Sequence, residues 1–364
     1  MFVTIKHHVQ LQNNLGFEQI AQLTNIKNYQ HYYTYNISED KLSDKLKTIA
    51  TTTTAQHLVT LHTSVIKPFL STHQNIDNEY STFRIPKKTH GYRTICAPNT
   101  ELKFVQQQIL NTLQNLINVL PHECAHAYIQ NRGTLTAMQK HQLSNNNWFL
   151  KIDLHKFFDN CKIDFVYQQL TKLYPFAVLQ SKETYVTIIK DMLKVCSYKG
   201  ALPQGAPTSP YLTNLIMVPI DMRLSTLAPT YTRYADDLLF SWQQKPNINA
   251  VLNIISNNIL DNTPLTINPE KTRLGKKAGR NWNLGLMLNK DNQLTIGHKK
   301  KQKFRAAIDQ FLYNPERATP EDKYKLSGII SYYKMIEPNY INYVITKYNT
   351  KHNKDILTLL KPTI

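Results

Sequence analysis

Cysteine is scarce in this chain of 364 residues, and what there is stands unpaired. Cys96, Cys124, Cys161 and Cys196 are scattered, with no Cys-x-x-Cys pair and no histidine spacing of the zinc-site kind. That excludes a disulfide scaffold and reads as reduced packing residues in a cytoplasmic protein. No apolar run approaches the length of a membrane span, and Met1-Phe-Val-Thr-Ile-Lys-His-His8 lacks a signal-peptide core, so the expectation is a soluble protein with no membrane partner. Acidic residues are also short: 25 Asp and Glu face 43 Lys and Arg, a formal charge of +18. Such an excess favours a polyanionic partner, because each phosphate contact releases counterions. Internal repeats and long low-complexity linkers are missing, and no separate nuclease domain is expected. Hydrophobic residues make up 41% of the chain, enough for two or three packed subdomains.

The stretch around which the rest is organised is Tyr231-Thr-Arg-Tyr-Ala-Asp-Asp-Leu-Leu-Phe-Ser-Trp242. Alternating β-prone residues on both sides predict two short paired strands with Asp236 and Asp237 at an exposed tip. Aspartate is common in turns, so an acidic turn is one reading. Adjacent carboxylates also repel, and in phosphoryl transfer a divalent metal is the usual answer. Upstream, Trp148-Phe-Leu-Lys-Ile-Asp-Leu-His-Lys-Phe-Phe-Asp159 predicts an apolar strand that delivers Asp153 as it ends. Two-metal nucleotidyl transfer needs carboxylates from different strands, which makes Asp153 and Asp236 the natural bridging ligands, with Asp237 beside them.

With Leu202-Pro-Gln-Gly-Ala-Pro-Thr-Ser-Pro210 between them, the Asp153 strand and Tyr234-Ala-Asp-Asp237 resemble the palm motifs of reverse transcriptases, in the family's order. In wording and length the bacterial retron, abortive-infection and other defence-associated enzymes are the nearest, over roughly residues 80 to 345. The resemblance implies an α+β fold, a right-hand polymerase: an N-terminal helical extension over 1–78, fingers and palm over 79–280, and a helical thumb over 281–364. It implies RNA-directed DNA synthesis from deoxynucleoside triphosphates on a dedicated non-coding RNA, in antiviral defence. Asp153, Asp236 and Asp237 would hold two Mg2+ ions, with Mn2+ as a substitute. A partner protein or a homo-oligomer stays open.

The same resemblance assigns further residues. Phe83 to Pro98 reads as a basic hairpin about a Lys-Thr-His-Gly turn, solvated or, as in the family, holding the incoming triphosphate through Lys87 and Arg93, with Lys88 as a possible substitute. Phe158 matches the side chain under the sugar that selects deoxynucleotides, although strand alternation would let only one of Phe157 and Phe158 face the site. Gln204 matches a contact to template base or nucleotide; Gly205, which with the prolines fixes the turn, and Tyr234 belong to the same substrate-facing set. Ser209 is expected to cap the helix from Tyr211 to Leu227. Lys271, in Ile267-Asn-Pro-Glu-Lys-Thr-Arg273, matches the lysine beside departing pyrophosphate, or is a surface lysine. Lys299, Lys300, Lys301, Lys303 and Arg305 open a helix as a basic stripe that grips a template–product backbone or is a solvated face.

Elsewhere the pattern predicts a helix capped by Ser38, weakened by β-branched Thr51 to Thr54, an amphipathic helix from Asn99, and a strand over 281–289 turning to 294–296. Two departures from the retron pattern stand out. Ala137-Met-Gln-Lys-His141 keeps the family's histidine without its asparagine, and Asn283-Leu284-Gly285 replaces a Val-Thr-Gly block. Both point to a defence-associated or unclassified relative. Two rival readings are a template-independent, possibly protein-primed polymerase of the abortive-infection type, and a non-catalytic RNA-binding scaffold. An intact acid set counts against the scaffold, since unpaired buried carboxylates are costly.

Overall fold

The computed structural model describes residues 2–6, 34–38, 44–87, 91–116, 120–277 and 283–361. Strands β1 (Phe2–Lys6) and β2 (Thr34–Ser38) pair antiparallel, with Phe2 opposite Ser38. Ser38 therefore ends a strand; the segment over which it was expected to cap a helix, 39–43, lies outside the described residues, and helix α1 is described over Asp44–Leu61. It passes straight through Thr51 to Thr54. Thr54, Leu58 and Leu61 are buried, so tertiary packing overrides the low helix propensity of threonine. A π turn (His62–Ile66) and a short helix (Lys67–Thr72) continue it.

The fingers hairpin follows as β3 (Tyr80–Pro86) and β4 (Tyr92–Pro98). Helix α2 (Thr100–Asn115) is capped by Asn99, whose side chain accepts from the Leu102 amide, and it buries Leu102, Val105 and Ile109 as its spacing predicts. Then come α3 (Thr134–Leu143), β5 (Trp148–Leu154) and a single helical turn α4 (Phe157–Asn160). The palm continues through α5 (Ile163–Leu170), α6 (Glu183–Val195), α7 (Ser209–Ile216) and α8 (Val218–Leu224) to β6 (Thr230–Tyr234) and β7 (Asp237–Trp242). Helix α9 (Ile248–Ile254) precedes β8 (Ile267–Lys276). The expected strand over 281–289 is reduced to β9 (Met287–Leu288), paired with β10 (Leu294–Thr295); Asn281 and Trp282 lie outside the described residues. Helices α10 (His298–Tyr313), α11 (Pro320–Ile336) and α12 (Pro338–His352) close the chain's C-terminal part.

The palm sheet has the order β6-β7-β5-β8, antiparallel throughout. Successive strand residues point to opposite faces, and two hydrophobic cores record this. Leu150, Ile152, Leu154, Leu238 and Phe240 join the palm helices in one core. Phe149 and Leu239, on the other face, join Met138 and the side chains of α10 to α12 in a second. Asp153 and Asp237 lie on that second face, beyond the end of its apolar patch. No described helix is long and apolar enough to cross a membrane.

Candidate active site

The acid-bearing hairpin turns in two residues, Ala235 and Asp236, and the register sets Asp153 of β5 directly opposite Asp237 of β7. Asp237 is thus the first residue of its strand, and only Asp236 is at the tip. Neither is exposed as the sequence suggested: both are half-buried, and Asp153 is 7% exposed, because β5 and its neighbours wall the turn. Ala235 sits at φ 57°, a left-handed conformation that favours glycine. Both turn carbonyls are held: Ala235 O accepts from Arg233 Nη1 at 3.2 Å, and Asp236 O from the Leu154 amide at 3.1 Å.

Two lysines compensate the acids. The ladder between β5 and β8 is irregular, with Asn268 opposite Asp153 but Arg273 opposite Lys151. The extra residues of β8 arch outward, as a bulge does, and bring Lys271 Nζ to 2.9 and 3.1 Å from the two Asp153 carboxylate oxygens. Asn268 Nδ2 donates to the same carboxylate at 3.1 Å. On β5, Lys151 shares a face with Asp153 and pairs with Asp237 at 2.8 Å. Burial, and then the Asp237 charge, raise the Asp236 carboxyl above its ordinary pKa. Burial likewise raises Asp237, against the opposing pull of Lys151. The hydrogen bond to Asp153 raises Lys271 in turn. Three carboxylates gathered at the ends of two adjacent strands and their turn, with Asp236 and Asp237 raised by burial and by neighbouring acids, are a donor set that suits a hard divalent cation.

Among the described residues, the three candidate ligands whose donor atoms lie within 4.8 Å of one another are a different group, His122, Cys124 and Asp221. That group is ill suited to a cation. Both Asp221 oxygens already accept from Arg233 at 2.8 to 3.0 Å, Tyr231 Oη donates to one of them, and His122 Nδ1 accepts the Cys124 amide. A metal ion would sit against a guanidinium.

The other predicted residues distribute unevenly. Lys87 and Arg93 are exposed on the fingers hairpin, where the Lys87 amide donates to Gly91 O; Lys88 lies outside the described residues. Phe157 and Phe158 are on the helical turn α4, not in a strand, so alternation does not apply: Phe157 is buried and Phe158 half-buried. Tyr234 ends β6 opposite Asp237. Gln204 and Gly205 dock on β4, where the Cys96 amide donates to Gln204 O at 2.7 Å. Gly205 takes φ 124°, and a Cβ there would lie 2.6 Å from Cys96 O. This glycine is used for close approach of palm loop to fingers strand. Ser209 does not cap α7; its hydroxyl is buried without a partner, since Thr208 occupies the cap position and it too makes no capping bond. In the basic stripe, Lys299 and Lys303 are exposed, whereas Lys301 is bound to Glu337 and lies over the Tyr340 ring, and Lys300 donates to Gly285 O.

Several residues escaped the sequence reading. Lys151 was legible, being two residues before Asp153 on a strand, and Asn268 lies within the motif that supplied Lys271. Tyr128 was not. It is 50% exposed at φ 62°, and its phenol feels Asp236, Tyr234 and Arg93, which places it between the fingers and the acid tip. His141, the histidine retained from the family pattern, is fully buried on α3 and bridges both hairpin strands, Nδ1 to Ser241 Oγ at 2.6 Å and Nε2 to Thr232 Oγ1 at 2.9 Å.

The family described as reverse transcriptase (RNA-dependent DNA polymerase) matches residues 85–307. The chain is 31% identical to the retron Mx162 reverse transcriptase of Myxococcus xanthus over 300 residues, 73% of this chain and 60% of that one. It is 27% identical to the retron Ec83 enzyme of Escherichia coli over 76% of this chain and 89% of the other, and 29% identical to the retron Ec73 enzyme over 82% and 95%.

Proposed function

Since this chain belongs to the reverse transcriptase family, we propose that it is an RNA-directed DNA polymerase that copies a dedicated non-coding RNA in the cytoplasm, in bacterial antiviral defence. The observation that carries the reading is the register that sets Asp153 against Asp237 with Asp236 in the adjoining turn. These three carboxylates would hold two Mg2+ ions. When bound, the ions lower the pKa of the attacking 3′-hydroxyl and neutralise charge on the leaving pyrophosphate. Lys271 and Lys151 keep the acids charge-compensated, and Lys271, 60% exposed on a bulge, is free to turn toward a phosphate. Lys87 and Arg93 meet the triphosphate from the fingers, Phe158 lies under the sugar, and Gln204 and Tyr234 face template and nucleotide. Lys299 and Lys303 bind the duplex backbone. Likeness to retron enzymes over most of the chain supports the defence setting and the non-coding template.

The test is to sequence RNA and DNA that co-purify with the wild-type protein and with the Asp236→Ala, Asp237→Ala double variant. DNA complementary to one discrete RNA, lost in the variant, is the expected result. Homopolymeric or random DNA would replace this reading with untemplated synthesis. Discrete RNA without DNA from either protein, together with no extension of a primed RNA template, would replace it with a scaffold.

A further inference from the structure

Arg233 is the largest fully buried side chain among the described residues, two residues before the turn that carries Asp236. Every polar group it owns is accounted for. Its amide donates to Cys124 O and its carbonyl accepts the His126 amide, both at 2.8 Å, so its backbone is fixed by the loop that flanks β6. Nε and Nη2 grip both oxygens of Asp221 on α8, and Nη1 donates to Asn214 Oδ1 on α7 at 3.0 Å and to Ala235 O. Asn214 is aimed in turn by its own amide group, which donates to Ala127 O at 2.9 Å.

A buried ion pair is an inefficient way to stabilise a fold, since desolvation cancels most of the attraction. What this one does reach is the single strained residue of the turn. Ala235 holds its left-handed conformation without being glycine, and its carbonyl is bound to Nη1. We propose that Arg233 is a positioning residue for Asp236: held by Asp221 and Asn214, its guanidinium locks the Ala235 peptide, so two palm helices and not the strands alone fix where the tip carboxylate stands. Asp221 and Asn214 belong to this device, which acts through the turn and touches no substrate.

The inference rests on the reading of Asp153, Asp236 and Asp237 as the metal carboxylates, so the experiment carries its own control. Mn2+ binding to the full-length protein is followed by water-proton relaxation, beside thermal midpoint, kcat and nucleotide KM, for three variants. Arg233→Lys keeps a charge for Asp221 but cannot span to Ala235 O. Arg233→Met with Asp221→Asn removes both charges and leaves an acceptor for Tyr231. Asp236→Asn is the control. The expected result is that both Arg233 variants melt within a few degrees of wild type, bind Mn2+ several-fold more weakly and lose about 100-fold in kcat, the scale of a misplaced reacting group, with KM little changed. If either folded Arg233 variant binds Mn2+ and turns over as wild type does, the positioning role is wrong. If the double variant does not fold, Arg233→Lys decides alone; a fall in its melting point with normal Mn2+ binding assigns the pair to stability only. Unchanged Mn2+ binding in Asp236→Asn overturns the site reading itself.

Discussion

A methyl group on Gly205 has nowhere to go. It would meet Cys96 O at 2.6 Å and Ile95 Cγ2 at 2.9 Å, on a residue whose φ of 124° already disfavours any side chain. Gly205→Ala is expected to cost about 2–3 kcal/mol, read as a lower urea midpoint, because backbone cannot yield as a flexible side chain would. The buried histidines give a second prediction. Burial first, then Lys140, push His141 down to about 3, and burial pushes His126 to about 3 as well. An unfolded chain takes up these protons near the ordinary histidine value of about 6.5, while the folded chain refuses them. Stability is therefore whole above about pH 6.5 and is lost as pH falls toward about 3. Between about pH 7 and about pH 5 the loss is up to ~2 kcal/mol per histidine. Urea unfolding across that range measures it, and His141→Gln, which keeps hydrogen-bonding groups near both hydroxyls, should lower the midpoint at neutral pH and flatten the slope.

At the scale of the element, the basic stripe of α10 divides by what its residues already hold. Lys299 and Lys303 face solvent, whereas Lys301 is bound to Glu337, whose carboxylate also takes the Ile296 amide and the Thr295 hydroxyl. Lys299→Ala with Lys303→Ala should weaken RNA binding and reduce the salt dependence of log K by roughly 1–2 units, as lost phosphate contacts require. Lys301→Ala should instead lower the melting temperature and leave the salt slope nearly unchanged. The sequence could not make this division, since five basic residues in one helical turn and a half look alike until Glu337, more than thirty residues away, is placed beside one of them. The same holds for the hairpin: Tyr231 to Trp242 announced its strands by alternation, but the partners of Arg233 come from α7 and α8 and are invisible locally.

For the whole molecule, the order of motifs was enough to find the palm, because Asp153 and the Asp236–Asp237 pair sit at strand ends that periodicity alone delimits. What stayed hidden was how the parts are joined. The N-terminal stretch was read as helical, yet β1 and β2 pair across the 27 residues between Lys6 and Thr34, a contact no local pattern carries. Gln204 and Gly205 were taken for substrate contacts, and what the structure shows of them is a seam against β4, at Cys96. The sheet's two faces were legible one strand at a time, in Phe149 against Leu150 or Leu239 against Leu238, but which core each face serves was not.

That last feature has a mechanical side. Phe149 lies in the core built by α10 to α12, and Asp153 stands four residues further along the same strand on the same face, a rise of about 13 Å. Strand β5 is thus a beam with one end among the C-terminal helices and the other braced on both sides, by Asp237 of β7 and Asn268 of β8. Packed strands transmit strain and yield little, so a shift of the Phe149 end among α10 to α12 is expected to be felt at Asp153.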